Sequence, residues 1–225
     1  MVKWTKEFSA KYETPHKLKH EVLKPSILKA LRNIKNKQIA DFGCGSGYFS
    51  RILAKKGAIV TAIDRSEEQI KIAMSNDRKN ITYIKSEIYK TKLNDEQFDI
   101  ALVNLVLIEA KSSNEFKRII KECYRTLRHG GMLVIGATHP TNIGRGSKIV
   151  NIYPTHNKTY FDNGVKCQIV CYLANGSTME FYPNYHYTLE FYINTLIDTG
   201  FSIKRFIEPK CNENFPVAVV IVAEK

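Results

Sequence analysis

Between residues 38 and 137, short apolar runs alternate with stretches whose apolar residues recur at helical spacing. The runs cover 38–42, 58–63, 81–84, 98–103 and 132–136. Runs this short and this continuous predict strands buried on both faces. Phe116, Ile119, Ile120, Cys123, Tyr124 and Leu127 predict a helix over 115–127, with Gly130-Gly131 stopping it and opening the next strand. Strand–helix alternation implies a parallel sheet covered on both sides, an α/β fold of the doubly wound, Rossmann-like kind. Two helical segments, 5–14 and 18–33, precede this core with Pro15 between them.

After residue 138 the character changes. Residues 140–187 are rich in Tyr, Asn and Gly, and the segments 165–173 and 177–181 flank Asn175-Gly176. That pair suits a tight hairpin turn because both residues tolerate positive φ. A helix over 188–199 is predicted, capped by Thr188 and ended by Gly200. Strands at 201–208 and 216–223 bring the main sheet to seven, mostly parallel with an antiparallel last strand. The inserted hairpin is too small to stand as a separate domain, so a single domain is expected.

Composition narrows the picture. The 225 residues, 44% hydrophobic and 25% charged, fit one globular domain with a sizeable core. No apolar run approaches the roughly 20 residues that span a bilayer. Residues 1–7 have charges but no apolar stretch behind them, so no secretory leader and a cytoplasmic location are expected. The five cysteines are scattered without a CxxC pair, which argues against a disulfide framework or a zinc site. Cys167 and Cys171 would share one strand face as small buried side chains. The net charge of +12 raises nucleic acid as a partner. Yet residues 1–37 hold ten Lys or Arg against three Glu, so +7 of it sits in the first sixth of the chain. The remainder looks like Lys/Asn/Ile compositional bias, and nucleic acid is disfavoured.

The segment Ile39-Ala40-Asp41-Phe42-Gly43-Cys44-Gly45-Ser46-Gly47-Tyr48 carries the chemistry. It reads as strand, glycine turn, helix, and its glycines let backbone approach a ligand closely. The spacing is G-x-G-x-G, neither the dinucleotide fingerprint nor a phosphate loop. Asp41 before the turn would repel a pyrophosphate but suits an ammonium group. Asp64, ending the second strand, could accept both hydroxyls of a ribose. After the third strand, Glu87 could take an adenine amine and Ile88 pack on the ring. Ammonium, ribose and adenine without phosphate describe S-adenosylmethionine.

These residues resemble the motifs of class I S-adenosylmethionine-dependent methyltransferases of the small-molecule type. Residues 39–47 look like the first motif, Asp64 and Glu87 like the acids after strands two and three, Phe98-Asp99 like the opening of strand four, and 127–133 like the turn into strand five. Five motifs fall in order over roughly 36–138. The resemblance implies a cofactor site of Tyr12, Asp41, Gly43, Cys44, Gly45, Gly47, Asp64, Arg65, Gln69, Ser86, Glu87, Ile88, Asn104 and Leu105. It also implies the division of labour: a helical lid over 1–37, a cofactor-binding core over 38–138, a substrate cap over 139–187 and the rest of the sheet over 188–225. Asp99 is expected to hold the first-strand loop rather than touch cofactor.

The methyl acceptor is less legible. Asn104-Leu105-Val106-Leu107 is not the Asn/Asp-Pro-Pro-Tyr/Phe motif of exocyclic base amine methylation, no Pro-Cys nucleophile follows strand four, and no acid cluster there suggests magnesium. Trp4 to Tyr12 resembles the N-terminal helix of small-molecule members. His139-Pro140, Tyr185-His186-Tyr187, Gly200-Phe201 and Glu208-Pro209 resemble a subgroup in which Arg usually stands where Tyr187 is here. His186 and His139 are the candidate bases or substrate contacts. His16, His20, His129 and His156 sit in polar, helical or loop contexts with no role assigned. The tyrosines at 153, 160, 172, 182, 185, 187 and 192 suit either an aromatic pocket or packing. The expected reaction is methyl transfer to a hydroxyl, carboxyl or amine of a small molecule by a monomer or homodimer. An RNA or protein methyltransferase and a non-catalytic cofactor-binding scaffold remain as alternatives, and a nicotinamide dehydrogenase is disfavoured by the glycine spacing.

Overall fold

The computed structural model describes residues 14–76, 81–155 and 158–225. The lid helix over 5–14, with Trp4 and Tyr12, falls almost wholly outside them, as does His156. Among the described residues, ten strands and five α-helices follow in chain order. A π-helical turn, Leu18–Leu23, runs straight into α1 (Lys24–Leu31). Then come β1 (Gln38–Phe42), α2 (Tyr48–Lys55), β2 (Ile59–Asp64), α3 (Glu67–Ser75), β3 (Ile81–Lys85) and β4 (Phe98–Asn104). The chain continues through α4 (Ser113–Thr126), β5 (Leu127–Thr138), β6 (Val150–Pro154), β7 (Val165–Tyr172), β8 (Thr178–His186), α5 (Leu189–Thr199), β9 (Ser202–Ile207) and β10 (Ala218–Glu224).

Seven strands form the main sheet in the order β3-β2-β1-β4-β5-β10-β9. The first five are parallel, and β10 is antiparallel to both β5 and β9, as the strand count predicts. The order reverses at β1, with β2 and β4 on its two sides, and open α/β sheets bind ligands beyond the strand ends at such a point.

Alternation along the strands divides the core between the faces. Ile39, Leu102, Val134 and Val220 pack with Leu23, Ile27, Phe49 and Leu53. Their chain neighbours Ala40, Val103, Ile135 and Ile221 point the other way, onto Phe116, Ile119 and Ile120 of α4 and Tyr192 and Leu196 of α5. Asp99 behaves as expected: its Oδ2 accepts from the Gln38 backbone N–H at 2.7 Å, and its Oδ1 lies 2.5 Å from Arg128.

Two expectations need correction. The α4 helix ends at Thr126 and β5 opens at Leu127, so Gly130-Gly131 lies inside the strand segment instead of stopping the helix. Gly130 adopts φ +69° and the register against β4 jumps between Phe98 and Ile100, so the glycines make an irregularity that lets the strand realign. The inserted cap is also larger than a hairpin. β6 pairs with β7 to make a three-stranded antiparallel sheet, β6-β7-β8. The stretch 149–153 lacks turn punctuation, and only pairing to β7 makes it a strand. Pro15 and His16 dock on the far end of this sheet: His16 forms a bridge with Leu173, and the Ala174 N–H donates to the Pro15 carbonyl at 2.9 Å. Among the described residues no helix is long and apolar enough to cross a membrane.

Candidate active site

The glycine turn is hooked onto the neighbouring strand. Both the Gly43 and Cys44 N–H groups donate to the Ile63 carbonyl, at 2.7 and 3.0 Å. Gly43 has φ +70°, and a Cβ there would overlap Val106 in the loop after β4. Only glycine lets these two loops close on each other. The β4 loop is itself constrained, since Leu105 adopts φ +58° and its N–H donates to Gly136 at 2.7 Å. Left-handed backbone at a branched residue is costly and clusters at binding sites.

Beyond the strand ends lies a cleft. Asp41, Gly43, Cys44, Gly45, Asp64, Arg65, Glu87, Ile88, Asn104 and Leu105 line it, ten of the fourteen cofactor residues expected from sequence. Gly47, Gln69 and Ser86 do not. Gly47 supplies the residue before α2, and Gln69 is buried behind the turn, 3.5 Å from where a Gly45 Cβ would stand. The Ser86 N–H donates to the Asp64 carbonyl and its hydroxyl to that of Glu87, which shapes the loop without reaching the cleft. Tyr12 lies outside the described residues.

The two central acids are seated by different partners. Asp41 is 3% exposed and accepts a 2.5 Å hydrogen bond from Ser50 Oγ. Burial raises its carboxyl to about 6, against the lowering by Ser50. Asp64 accepts from the Gly45 N–H through Oδ2 and the Ser66 N–H through Oδ1, both at 2.8 Å. It therefore braces the glycine turn and can still offer each oxygen's second lone pair to a diol. Burial raises its pKa too. Asn104 Oδ1 is buried in this wall with no partner among the described residues. An orphan acceptor of this sort is costly without a ligand donor.

Among the described residues, five carboxylates line the cleft, Asp41, Asp64, Glu87, Glu109 and Glu115, against the cations Lys19 and Arg65. In a chain of net +12 the cleft is locally acidic. That environment opposes a polyphosphate and favours a cationic ligand. S-adenosylmethionine, with an ammonium and a sulfonium but no phosphate, fits these donors and acceptors.

A second cavity adjoins the cleft through Leu105 and Glu109, which line both. Its walls are His16 and Leu18 before α1, Ile108, Thr138 at the end of β5, and Ile169, Cys171, Phe181 and Asn184 from the cap sheet. Glu109 is partly buried, and its Oε2 accepts from Arg65 Nη2 at 2.5 Å. Burial raises its carboxyl to about 7 in spite of Arg65, with the charge of Asp64 pushing the same way. His16 is buried and depressed to about 2, chiefly by burial and then by Lys19 and His20, so it is neutral. Asn184 is 2% exposed, and its Nδ2 has no partner among the described residues.

The two histidines singled out from sequence lie elsewhere. His139 Nδ1 is 2.7 Å from Thr141 Oγ1 and its Nε2 is 3.0 Å from Glu208, which anchors a short 3₁₀ turn, Pro140–Asn142. It lines neither the cleft nor the second cavity. His186 Nε2–H donates to the Tyr160 carbonyl at 2.8 Å, and the residue lines a third, small cavity. Tyr185, Tyr187 and Tyr192 line that cavity as well. Tyr187 also packs on Phe116 and its hydroxyl donates to the Ala110 carbonyl at 2.8 Å, so packing claims much of the tyrosine cluster. Sequence reasoning missed Glu109, His16 and Asn184. Glu109 did carry a signal, a lone acid closing the apolar run 105–108 just after a sheet strand.

The fold matches that of solved S-adenosylmethionine-dependent methyltransferases. The structure superposes on an S-adenosylmethionine dependent methyltransferase from Mesorhizobium loti with TM-score 0.68 and 23% identity, over 89% of this chain and 96% of that one. Residues 40–135 match the methyltransferase domain family. Among curated relatives, the chain is similar to ubiquinone biosynthesis O-methyltransferase of Coxiella burnetii, at 36% identity over 103 residues, 44% of this chain and 43% of that protein. It is also similar to malonyl-[acyl-carrier protein] O-methyltransferase of Buchnera aphidicola, at 30% over 139 residues, 61% and 53%. The chain thus matches about half the length of these relatives.

Proposed function

We propose that this protein binds S-adenosylmethionine in the acidic cleft and transfers its methyl group to a small molecule held in the adjoining cavity. The observation that carries this reading is the run Asp41, Asp64, Glu87 along one cleft with no phosphate-binding loop, in a chain that is otherwise basic. The similarity to two O-methyltransferases supports it. When bound, the sulfonium supplies an activated methyl group, open to in-line displacement. Asp41 would face the ammonium, Asp64 the ribose hydroxyls, Glu87 the adenine amine, and Ile88 the ring. The chain's own task is then to position and desolvate the reactants. A macromolecular substrate suits the site less well, because the second cavity is small and mostly apolar and, among the described residues, basic side chains do not ring the cleft. Calorimetry with S-adenosylmethionine and S-adenosylhomocysteine tests the reading. Micromolar binding that weakens at least tenfold in Asp64→Ala is expected; no binding by folded wild-type protein would overturn it.

A further inference from the structure

Resting on that methyl-transfer reading, we propose that the second cavity admits a neutral, single-ring phenol bearing a carbonyl oxygen, which Asn184 receives while Glu109 takes the phenolic proton. Among the described residues, Glu109 is the one carboxylate that lines both the cleft and this cavity, which puts it where cofactor and acceptor would meet. Its Oε2 is held by Arg65, and Oε1 has no hydrogen bond among the described residues. One oxygen is thus fixed and the other left to accept a proton. A base within hydrogen-bond reach accelerates transfer only for an acceptor that has a proton to lose, which favours a hydroxyl over a carboxylate.

The opposite wall supplies recognition. Asn184 closes the cavity from β8, nearly sealed from water, with Nδ2 unsatisfied. A buried donor without a partner costs about 1–3 kcal/mol, and a ligand oxygen would remove that cost. The remaining walls are mostly apolar: Leu18, Leu105, Ile108, Ile169, Cys171 and Phe181. Among the described residues charge is balanced, since Glu109 is paired with Arg65 and His16 is neutral. An anionic acceptor would enter with its charge unpaired, which burial penalises heavily. Among the described residues, the charged groups acting on Glu109 are Arg65 and Asp64; Lys19, Asp41, Glu87 and Glu115 lie along the cleft. In the step itself the phenolic O–H breaks and its proton passes to Glu109. The oxygen lone pair forms the new C–O bond as the methyl–sulfur bond breaks, and that bonding pair stays on sulfur, leaving neutral S-adenosylhomocysteine and a methyl ether.

The test uses the full chain saturated with S-adenosylhomocysteine and three probes followed by saturation-transfer NMR. Para-hydroxyacetophenone should bind, para-ethylphenol about tenfold more weakly, and para-hydroxybenzoate not detectably. Asn184→Leu and the isosteric Asn184→Asp should each reduce para-hydroxyacetophenone to the ethylphenol level while S-adenosylhomocysteine affinity stays unchanged. In single-turnover transfer from S-adenosylmethionine, Glu109→Gln should lose on the order of 10²–10⁴-fold in rate and still bind the ketone. The wild-type rate should climb about tenfold per pH unit and level off above about 7, the Glu109→Gln rate should lack that break and rise only as the phenol itself ionises, and Glu109→Asp should recover part of the loss. The proposal is overturned if S-adenosylhomocysteine binds but the ketone does not, if the benzoate binds as tightly, if both Asn184 variants behave as wild type, or if Glu109→Gln keeps the pH profile. Failure of wild-type protein to bind S-adenosylhomocysteine removes the methyl-transfer reading instead, and the proposal with it.

Discussion

Burial of Asp41 raises its carboxyl from 3.8 to about 6, and that shift has two consequences of opposite benefit. Between those values the folded chain binds more protons than the unfolded one, so the ligand-free protein loses stability as pH rises through the window. At about 1.4 kcal/mol per pKa unit the loss is about 3 kcal/mol. Glu109, raised from 4.5 to about 7, adds a slope of the same sign. An ammonium ligand reverses the balance at Asp41 because it pairs with the carboxylate. S-adenosylmethionine affinity should therefore rise with pH up to about 6 and then level, with proton release near pH 6 measurable by calorimetry in buffers of different ionisation enthalpy. Asp41→Asn should abolish the proton release and flatten the stability slope; an unchanged release would show that another group titrates. Gly43 gives a second test at this scale. Gly43→Ala should cost about 1–3 kcal/mol from overlap with Val106 and about 1–2 kcal/mol more from left-handed backbone. Adding Val106→Ala should recover only the overlap part, as read by denaturant unfolding of the single and double variants.

At the scale of elements, the apolar runs located five parallel strands because a strand buried on both faces announces itself without its neighbours. Turn chemistry located the β7–β8 hairpin for the same reason, since Asn175-Gly176 acts locally. The end of α4 was misplaced because two glycines in a row look like a helix stop, whereas the chain had already turned extended at Leu127. Their job differs residue by residue, and substitution separates them. Gly130→Ala meets open space and should cost about 1–2 kcal/mol for its positive φ alone. In Gly131→Ala the new methyl would stand 2.7 Å from the Arg128 carbonyl, with Leu127 at 3.1 Å, and backbone gives way poorly. It should destabilise more than Gly130→Ala by about 1 kcal/mol or more in parallel urea titrations. β6 and the second cavity were illegible for a different reason. Residues 16, 109 and 184 meet only after the cap sheet folds back over the strand ends, and no local periodicity records that contact.

Across the whole molecule, charge and chemistry are separated. The chain is strongly basic, yet its cleft gathers carboxylates at the point where the sheet reverses direction, with Glu109 and Leu105 as the shared wall to the second cavity. A general attraction for polyanions would then act on the outer surface, and a specific ligand would act through the fold. The two are distinguishable by linkage. A ligand that binds only the folded state at 100 times its Kd adds about 2.7 kcal/mol of stability. For a chain of this size that corresponds to a Tm increase of about 5–10 °C. S-adenosylhomocysteine should produce that increase at any moderate ionic strength, and Asp64→Ala should remove most of it, because the same carboxylate braces the glycine turn and faces the ligand. An RNA oligonucleotide should bind, if at all, with a steep salt dependence and without displacing S-adenosylhomocysteine. Competition between the two would place the polyanion in the cleft, and the acidic lining of that cleft would then no longer account for its selectivity.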